Sequence, residues 1–570
     1  MLSTLPRLPI FQAVAGHDPE AVAVAHSPSG RSFTYGQLLA DVSRARDWLR
    51  EAGGGADLDG ARIAFLVENS YDYVVTLLAA MAARSIAVPL SPAFPAPELQ
   101  YILNHSEASL LVSSPKFTSR AEEVLAMELT LQPTHLELAK HVSGQERRHV
   151  TLEGTDPAGA GLMLYTSGTT NRPKGVLLPQ SVLTAQCQSL MQAWKYTPSD
   201  HLLHVLPLHH IHGTVNALLT PLFAGSSVEF MFPFNAHAVW KRLAAPFLAG
   251  TTTNGTTTRS KVTFFTVVPT VYSRLLASHK SLPAELQEAA RQAISPANLR
   301  INISGSAALP TPVKAAWQTL SRGNVLLERY GMTEVGMALS CGLDFADRVD
   351  ASVGWPLPSV QARLVDVDTG EVIPPGQDVD AAGRERPGEI QLRGPTIFKE
   401  YWRNPDATAK EFIADPGGHG PWFKTGDVAV RRPVPSAGHN AGQPWARGPL
   451  YFIQGRLTAD IIKTGGEKVS ALEVERELLS LPEVAEVAVV AVPSGNWGHK
   501  VGAIIVLDTD VIQQWSPMDM RRALKSRLVN YKIPQVMRVV DHIPRNAMGK
   551  INKKQLARAI FADDFSGDEK

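Results

Sequence analysis

Tyr165-Thr166-Ser167-Gly168-Thr169-Thr170-Asn171-Arg172-Pro173-Lys174-Gly175 (YTSGTTNRPKG) is the stretch that decides how this chain reads. The apolar run Leu162-Met163-Leu164 leads straight into it. A buried strand that ends in a glycine- and hydroxyl-rich turn lets backbone N–H groups converge on an anion. Thr and Ser hydroxyls add donors and Lys174 adds charge. Such a loop suits a polyphosphate. The competing pattern is G-x-x-x-x-G-K-[ST]. Gly168 and Lys174 have its spacing, but Pro173 replaces its second glycine and Gly175 replaces its Mg²⁺-binding hydroxyl. The loop is a phosphate cradle of another kind.

Outward from the loop, the pattern is α/β. Upstream, Leu38, Leu39, Val42, Ala45 and Leu49 follow Thr34 at helical spacing. Arg62–Val67 reads as a buried strand, 71–84 as a helix, and Ile86–Pro89 and Leu110–Val112 as strands. This predicts one βαβ unit from Val22 to about Ala158. A second is expected from Gly161 to about Leu343, with strands at Leu162–Tyr165, Val228–Met231, Val262–Val267 and Leu299–Ser304. Thr251–Arg259 (TTTNGTTTR) reads as an inserted polar loop. Gly354–Tyr451 carries short strands with Gly/Pro turns, and Arg432–Pro449 has the composition of a long hairpin loop. Beyond Arg456, a helix at Leu472–Leu481, strands at Val484–Val492 and Val501–Leu507, and a helix at Met518–Val529 predict a compact α+β unit. The expected fold class is α/β. A large N-terminal body (1–456) holds two βαβ-type subdomains and a small β-rich one, and a small α+β domain (457–570) follows.

Composition bounds the function. At about 150 residues per unit, 570 residues allow roughly three or four units. The 55 basic and 54 acidic residues leave a net charge of +1, which gives no electrostatic case for nucleic acid or an anionic membrane as main partner. The two cysteines, Cys187 and Cys341, support neither a disulfide framework nor a Cys-rich zinc site. The longest apolar candidate, Tyr71–Leu90, is broken by Asp72 and Arg84, so no transmembrane segment is expected. The N-terminus lacks a secretory pattern and matches a transit peptide poorly. A cytoplasmic enzyme is expected, with the mitochondrial matrix as the alternative.

Further motifs carry chemistry. Tyr330-Gly331-Met332-Thr333-Glu334 follows the apolar Val325-Leu326-Leu327 and offers one carboxylate, a hard oxygen donor that suits Mg²⁺. Ser304-Gly305-Ser306-Ala307-Ala308-Leu309-Pro310 ends a strand in small residues, against which a flat ring can lie. Thr425-Gly426-Asp427, Gly455-Arg456, Asp460-Ile461-Ile462-Lys463-Thr464-Gly465-Gly466 and Pro544-Arg545-Asn546-Ala547-Met548-Gly549-Lys550 follow in order. His209, His210 and His212 cluster in LPLHHIHG, but no Cys or carboxylate stands near enough in sequence to complete a zinc site.

Taken together, these motifs resemble the adenylate-forming enzymes, a superfamily that includes acyl-CoA synthetases, peptide-synthetase adenylation domains and luciferases. The resemblance spans about residues 20–560. It departs at Asn171, where most members have glycine; Asn tolerates left-handed backbone, so the loop is expected to persist. The resemblance implies ATP, Mg²⁺ and coenzyme A as ligands. Thr166, Ser167, Gly168, Thr169, Thr170 and Lys174 would hold phosphates. Gly305, Ser306 and Ala307 would hold adenine, Tyr330 and Gly331 would lie at the adenylate, Asp427 would hold the ribose, and Arg456 would contact the nucleotide. Thr333 would meet the α-phosphate and Glu334 the metal. Lys550 would bridge carboxylate and phosphate during adenylation. Thr458 would be the hinge about which the C-terminal domain moves, Gly465 and Gly466 would line the coenzyme A path, and Lys463 would be a further cofactor-binding residue. His210, His212 and Met337 are acyl-pocket candidates.

The variants VPTVYSR, SGSAALP and LLERYGMTEVGMALS look most like malonate–CoA ligases. In that group a basic residue after V-P-T-x-Y, here Arg274, grips the distal carboxylate. A buried guanidinium would be costly without a carboxylate partner. The implied reaction converts malonate, ATP and coenzyme A to malonyl-CoA, AMP and pyrophosphate. The alternatives are a ligase for another short- or medium-chain acid such as methylmalonate or a fatty acid, and an enzyme that loads a carrier protein.

Overall fold

In the computed structural model, described residues are 3–55, 58–142, 149–154, 159–166, 172–248, 260–495, 498–545 and 551–564. Two large sheets organise the body. The first has seven strands, in the order Glu400–Tyr401, Lys174–Pro179, Gly161–Thr166, Ile86–Pro89, Arg62–Leu66, Ala108–Ser113, Thr134–Glu137. The second has nine, in the order Trp355–Pro356, Gly336–Ser340, Leu327–Met332, Ile301–Ser304, Phe264–Val267, His201–His204, Ser227–Phe230, Val22–His26, Arg31–Thr34.

Local signals account for the elements. Thr34 and Gln37 form a reciprocal capping box that starts helix Tyr35–Ala52. Helix Tyr71–Ala82 is buried on every side, as its nearly continuous apolar sequence requires. Ile63–Leu66 of strand Arg62–Leu66, and Ile86–Pro89, are apolar throughout because both faces of a parallel sheet are covered.

Sheet membership differs from sequence order. Strand Gly161–Thr166, expected to open the second unit, pairs in parallel with Ile86–Pro89 and so completes the first sheet. The Val22–Thr34 hairpin, expected to open the first unit, joins the second sheet through Ser227–Phe230. Alternation specifies a strand but not the sheet that receives it, since both sheets offer equally apolar neighbours.

A six-stranded sheet follows, centred on Gly388–Arg393 and Trp422–Arg432, with Leu450–Arg456 paired to the latter. The expected hairpin loop 433–449 is present but firmly packed. Gln443 bonds to the Ala193 carbonyl at 2.9 Å, and Ala446 joins a buried cluster with Trp355. Thr251–Arg259 lies outside the described residues.

After Arg456 a five-stranded sheet forms from Ile461–Thr464, Glu467–Ser470, Val484–Ser494, Gly498–Leu507 and Val536–Val539. Its two buried clusters begin at Ile462 and share no member with those of the body. The expected helix 518–529 is shorter, Pro517–Leu524. The amides of Arg527 and Leu528 both fold back onto the Leu524 carbonyl. Among the described residues no helix is long and apolar enough to cross a membrane.

Candidate active site

The nine-stranded sheet itself points to the site. Strand His201–His204 lies between Ser227–Phe230, which follows it in the chain, and Phe264–Val267, which comes later and lies on the other side. That reversal opens a crevice at the carboxyl ends of the strands. His204, Val267, Ser304 and Tyr330 stand at or near those ends, so the segments 205–212, 268–274, 305–307 and 330–334 are brought to one edge.

The hairpin Leu327–Met332/Gly336–Ser340 places Glu334 in its turn, with a register irregularity at Tyr330/Gly331 and Gly336 at φ +65°. Glu334 is buried, and its Oε1 accepts the Tyr401 hydroxyl at 2.8 Å. Tyr401 arrives because its strand pairs with Lys174–Pro179, Val176 opposite Tyr401. Lys174 lies opposite Thr166 on the loop hairpin, with Nζ 4.5 Å from the centre of the Tyr401 ring. Lys174 and Glu334 thus both engage Tyr401, and no ion pair joins them directly. Burial raises the Glu334 carboxyl above its ordinary range, while Tyr401, Arg456 and Lys174 draw it back down. The site holds a cation and a carboxylate that do not neutralise each other.

A second cluster adjoins it. Pairing of Trp422–Arg432 with Leu450–Arg456 sets Asp427 opposite Arg456. Arg456 Nε lies 3.3 Å from Asp427 Oδ1, and the Tyr330 hydroxyl donates to Oδ2 at 2.6 Å. Burial pushes the Asp427 carboxyl up against the opposing pull of Arg456 and Tyr330. Glu334 also raises the proton affinity of Arg456, alongside Asp427 and Tyr330, although burial alone would lower it.

The third cluster contains a buried charge without a counter-charge. Arg329 is 3% exposed. Among the described residues its one hydrogen bond runs from Nη2 to Ser306 Oγ at 3.2 Å, and Nε has no partner. Burial pushes the guanidinium down to about 9, with no carboxylate to oppose it. Gly305 leaves room for it, because a Cβ there would push the guanidinium aside. Ser306 reaches it from a left-handed turn at φ +68°. Nearby, His212 Nε2 shares a 2.6 Å hydrogen bond with Thr266 Oγ1, and its Nδ1 is buried without a partner. Burial, then the charge of Arg329, holds the imidazole well below its usual value, so it is neutral. Ser304 Oγ is also buried and unpaired. Buried polar atoms are almost always satisfied. Three unsatisfied groups on adjoining elements, one cationic, suit an anionic ligand.

Other expectations divide. Met337 is buried opposite Gly331. His210 is half-buried against His209, ring centres 4.3 Å apart, and His209 meets Phe94. Burial and His210 push His209 down to about 3. Among the described residues no three His, Cys, Asp or Glu side chains are placed to hold a metal, so the histidines form no zinc site. Arg274 differs from expectation: it is exposed on helix Pro269–His279, its guanidinium 4.8 Å over the Phe234 ring. The helix begins at the crevice, but Ser273 and Arg274 lie on its solvent side, while Tyr272 and Leu275 point into the core. Thr333, Gly331 and Tyr330 are partly exposed, and Ser306 and Ala307 are exposed. Thr458 sits in an exposed turn, and Gly465 and Gly466 form an exposed hairpin tip beyond the exposed Lys463. Ser167, Gly168, Thr169, Thr170, Asn171 and Lys550 lie outside the described residues.

Sequence reasoning assigned no role to Arg329 or Tyr401. Arg329 had a usable signal: a cation two residues after the apolar run 325–327, in a strand with no acid at a pairing position that could be foreseen. Tyr401 had none, because its strand has two residues and its partner lies over 200 positions away.

Comparison with known proteins supplies the family and the fold. The sequence model described as "AMP-binding enzyme" matches residues 11–402, and "AMP-binding enzyme C-terminal domain" matches 473–550. The chain is 56% identical over 582 residues to a CoA ligase of Gibberella moniliformis, covering 99% of this chain and 96% of that one. It is 38% identical over 520 residues to the mitochondrial malonate–CoA ligase ACSF3 of Mus musculus, covering 89% and 82%. The crystal structure of ATP-bound MatB from Rhodopseudomonas palustris superposes with a TM-score of 0.78 at 30% identity, covering 98% of this chain and 100% of that one.

Proposed function

This chain belongs to the AMP-binding enzymes and is an AMP-forming acid–CoA ligase, and from that premise we propose that its acid is malonate. One observation carries the choice: the buried, unpaired guanidinium of Arg329 beside neutral His212. A monocarboxylate leaves that cation uncompensated, whereas the distal carboxylate of malonate pairs with it. The mouse relative named above is a malonate–CoA ligase, which supports the same reading. In this reading Arg329, and not the exposed Arg274, supplies the buried counter-charge.

The residues take the following parts. Asp427 receives the ribose hydroxyls, with Arg456 and Tyr330 orienting its carboxylate. Tyr330, Gly331 and the segment Gly305-Ser306-Ala307 face the adenine. Thr166, Ser167, Gly168, Thr169 and Thr170 cradle the phosphates with Lys174. Glu334 and Thr333 offer hard oxygen donors that fit Mg²⁺, which when bound offsets phosphate charge. His210, His212 and Met337 line the acyl side, and Arg274 stands outside it.

A carboxylate oxygen of malonate attacks the α-phosphorus of ATP. An O–P bond forms as the bond to pyrophosphate breaks, giving malonyl-adenylate. Lys174 and Lys550 stabilise the charge gathered on the phosphate oxygens. The C-terminal domain, bounded at 456/457, then turns about Thr458. It withdraws Lys550 and brings Lys463, Gly465 and Gly466 to the coenzyme A path. The coenzyme A sulfur attacks the carbonyl carbon. A C–S bond forms, the C–O bond to AMP breaks, and the thiol proton passes to solvent. The products are malonyl-CoA and AMP.

The test is pyrophosphate release with malonate, methylmalonate, acetate and octanoate in turn, with the thioester identified by mass spectrometry. Malonate is expected to give the highest kcat/KM. Preference for acetate or octanoate would overturn the assignment.

A further inference from the structure

Lys553 occupies an unexpected place. It is the first residue of helix Lys553–Ile560, where the helix dipole disfavours a cation. It is nonetheless largely withdrawn from solvent, its side chain 12% exposed. Its Nζ lies 2.5 Å from Asp460 Oδ1 and 2.7 Å from Glu475 Oε1. Burial alone would lower the Lys553 ammonium, but Glu475 and Asp460 hold it above the ordinary lysine value. Glu475 is anchored in turn by the Val489 amide at 2.8 Å.

Asp460 faces both ways. Its Oδ2 accepts the Arg456 amide at 3.0 Å, and its own amide donates to the Arg456 carbonyl at 2.8 Å. Gly455 adopts φ +122°, and a Cβ there would collide with Asp460. Arg456 in turn reaches Asp427. Five charges therefore alternate in sign, Asp427, Arg456, Asp460, Lys553 and Glu475, linking the Asp427 cluster to helices Lys553–Ile560 and Ala471–Leu479. Arg456 and Asp460 lie on opposite sides of Thr458, so their mutual contacts depend on the backbone setting at that residue. Lys553 follows Lys550 by three positions, a reach of at most about 11 Å.

We propose that Asp460 and Lys553 are positioning residues that lock the lysine-bearing tail to the hinge turn, so that Lys550 is delivered in register with Arg456 and its nucleotide. This rests on the roles proposed above for Thr458 and Lys550. Neither Asp460 nor Lys553 touches substrate. They act by fixing where the tail stands relative to the body during adenylation, and the second half-reaction does not need that register.

The experiment measures the two half-reactions separately in Lys553→Met and Asp460→Asn. Adenylation is read by acid-dependent ATP–pyrophosphate exchange, using the acid that the wild-type chain prefers. Thioester formation is read from preformed acyl-adenylate and coenzyme A. Adenylation is expected to fall about 100-fold, the scale of an ångström-level misplacement, while thioester formation is largely kept. Lys553→Arg, which retains the charge, is expected to restore adenylation. Thermal melts establish which variants fold. If the Met variant does not, the isosteric Asn variant gives the answer. Parallel loss of both half-reactions in a folded variant, or no loss in either, would overturn the lock. The wild-type acid preference is measured in the same series, so an error in the malonate assignment shows there and leaves the ratio of half-reactions readable.

Discussion

Replacing Arg329 by Met should make this protein more stable and less able to use malonate. The guanidinium is buried, bonded once, and pushed well below the ordinary arginine value, to about 9. At about 1.4 kcal/mol for each tenfold change in proton affinity, the charged group costs the fold on the order of 5 kcal/mol. The direction follows from proton linkage. The folded value lies below the unfolded one, so the penalty is fully present below about pH 9 and is relieved as pH rises from there towards the ordinary arginine value. At neutral pH the whole penalty applies. Met removes it but loses the hydrogen bond to Ser306, about 1 kcal/mol, and some packing of the arginine stem. A net gain of about 3 kcal/mol remains, which for a body of about 450 residues raises the melting temperature by about 3 °C. Malonate binding changes in the opposite sense. Its distal carboxylate would be left buried and unpaired at a cost of about 3–5 kcal/mol, or roughly 150- to 5000-fold in kcat/KM. Acetate has no second carboxylate and should keep its kcat/KM or gain. Pyrophosphate release and a thermal melt on the same preparation test both halves. A lower melting temperature with malonate turnover intact would refute the reasoning, since Arg329 would then be a structural anchor and not the anion site.

Three further outcomes are expected. Tyr401→Phe removes the hydroxyl that draws the Glu334 carboxyl down against burial; that carboxyl rises further, so activity is lost at a higher pH on acidification. The acid limb of the pyrophosphate-release profile should move up by about one pH unit, and an unchanged limb would count against the role. Glu334→Gln should raise the Mg²⁺ concentration for half-maximal pyrophosphate release at least about tenfold, with chelation stopping the wild type and added Mg²⁺ restoring it; an unaltered Mg²⁺ titration would exclude Glu334 as the ligand. Gly455→Ala should destabilise by about 2–3 kcal/mol, because φ +122° and the approach of Asp460 both exclude a Cβ; a wild-type melt would contradict the geometry.

Much of this molecule was legible in its sequence, for identifiable reasons. The phosphate loop, the Tyr330–Glu334 turn and the Asp427 turn are local motifs, each needing particular residue types at fixed offsets, and such constraints survive in one dimension. Strand Ile86–Pro89 and helix Tyr71–Ala82 were readable because continuous apolar sequence demands burial. Sheet membership was not, because any apolar strand can pair with any apolar edge. Only the folded chain carries Gly161–Thr166 to the first sheet and the Val22–Thr34 hairpin to the second.

The same division runs through the site. Sequence alone determined that a glycine- and hydroxyl-rich loop, a strand ending in small residues, the Tyr330–Glu334 turn and the Asp427 turn occur in that order along the chain, and resemblance to this enzyme class supplied the roles proposed for them. It did not determine which arginine is buried. Arg274 looked right beside its motif yet lies over Phe234 in solvent, whereas Arg329 is sealed between Gly305 and His212 without an acid to meet it. The physical reason is that the cost of a charge depends on the dielectric around it and on distances to other charges. Those quantities exist only once distant segments have packed together.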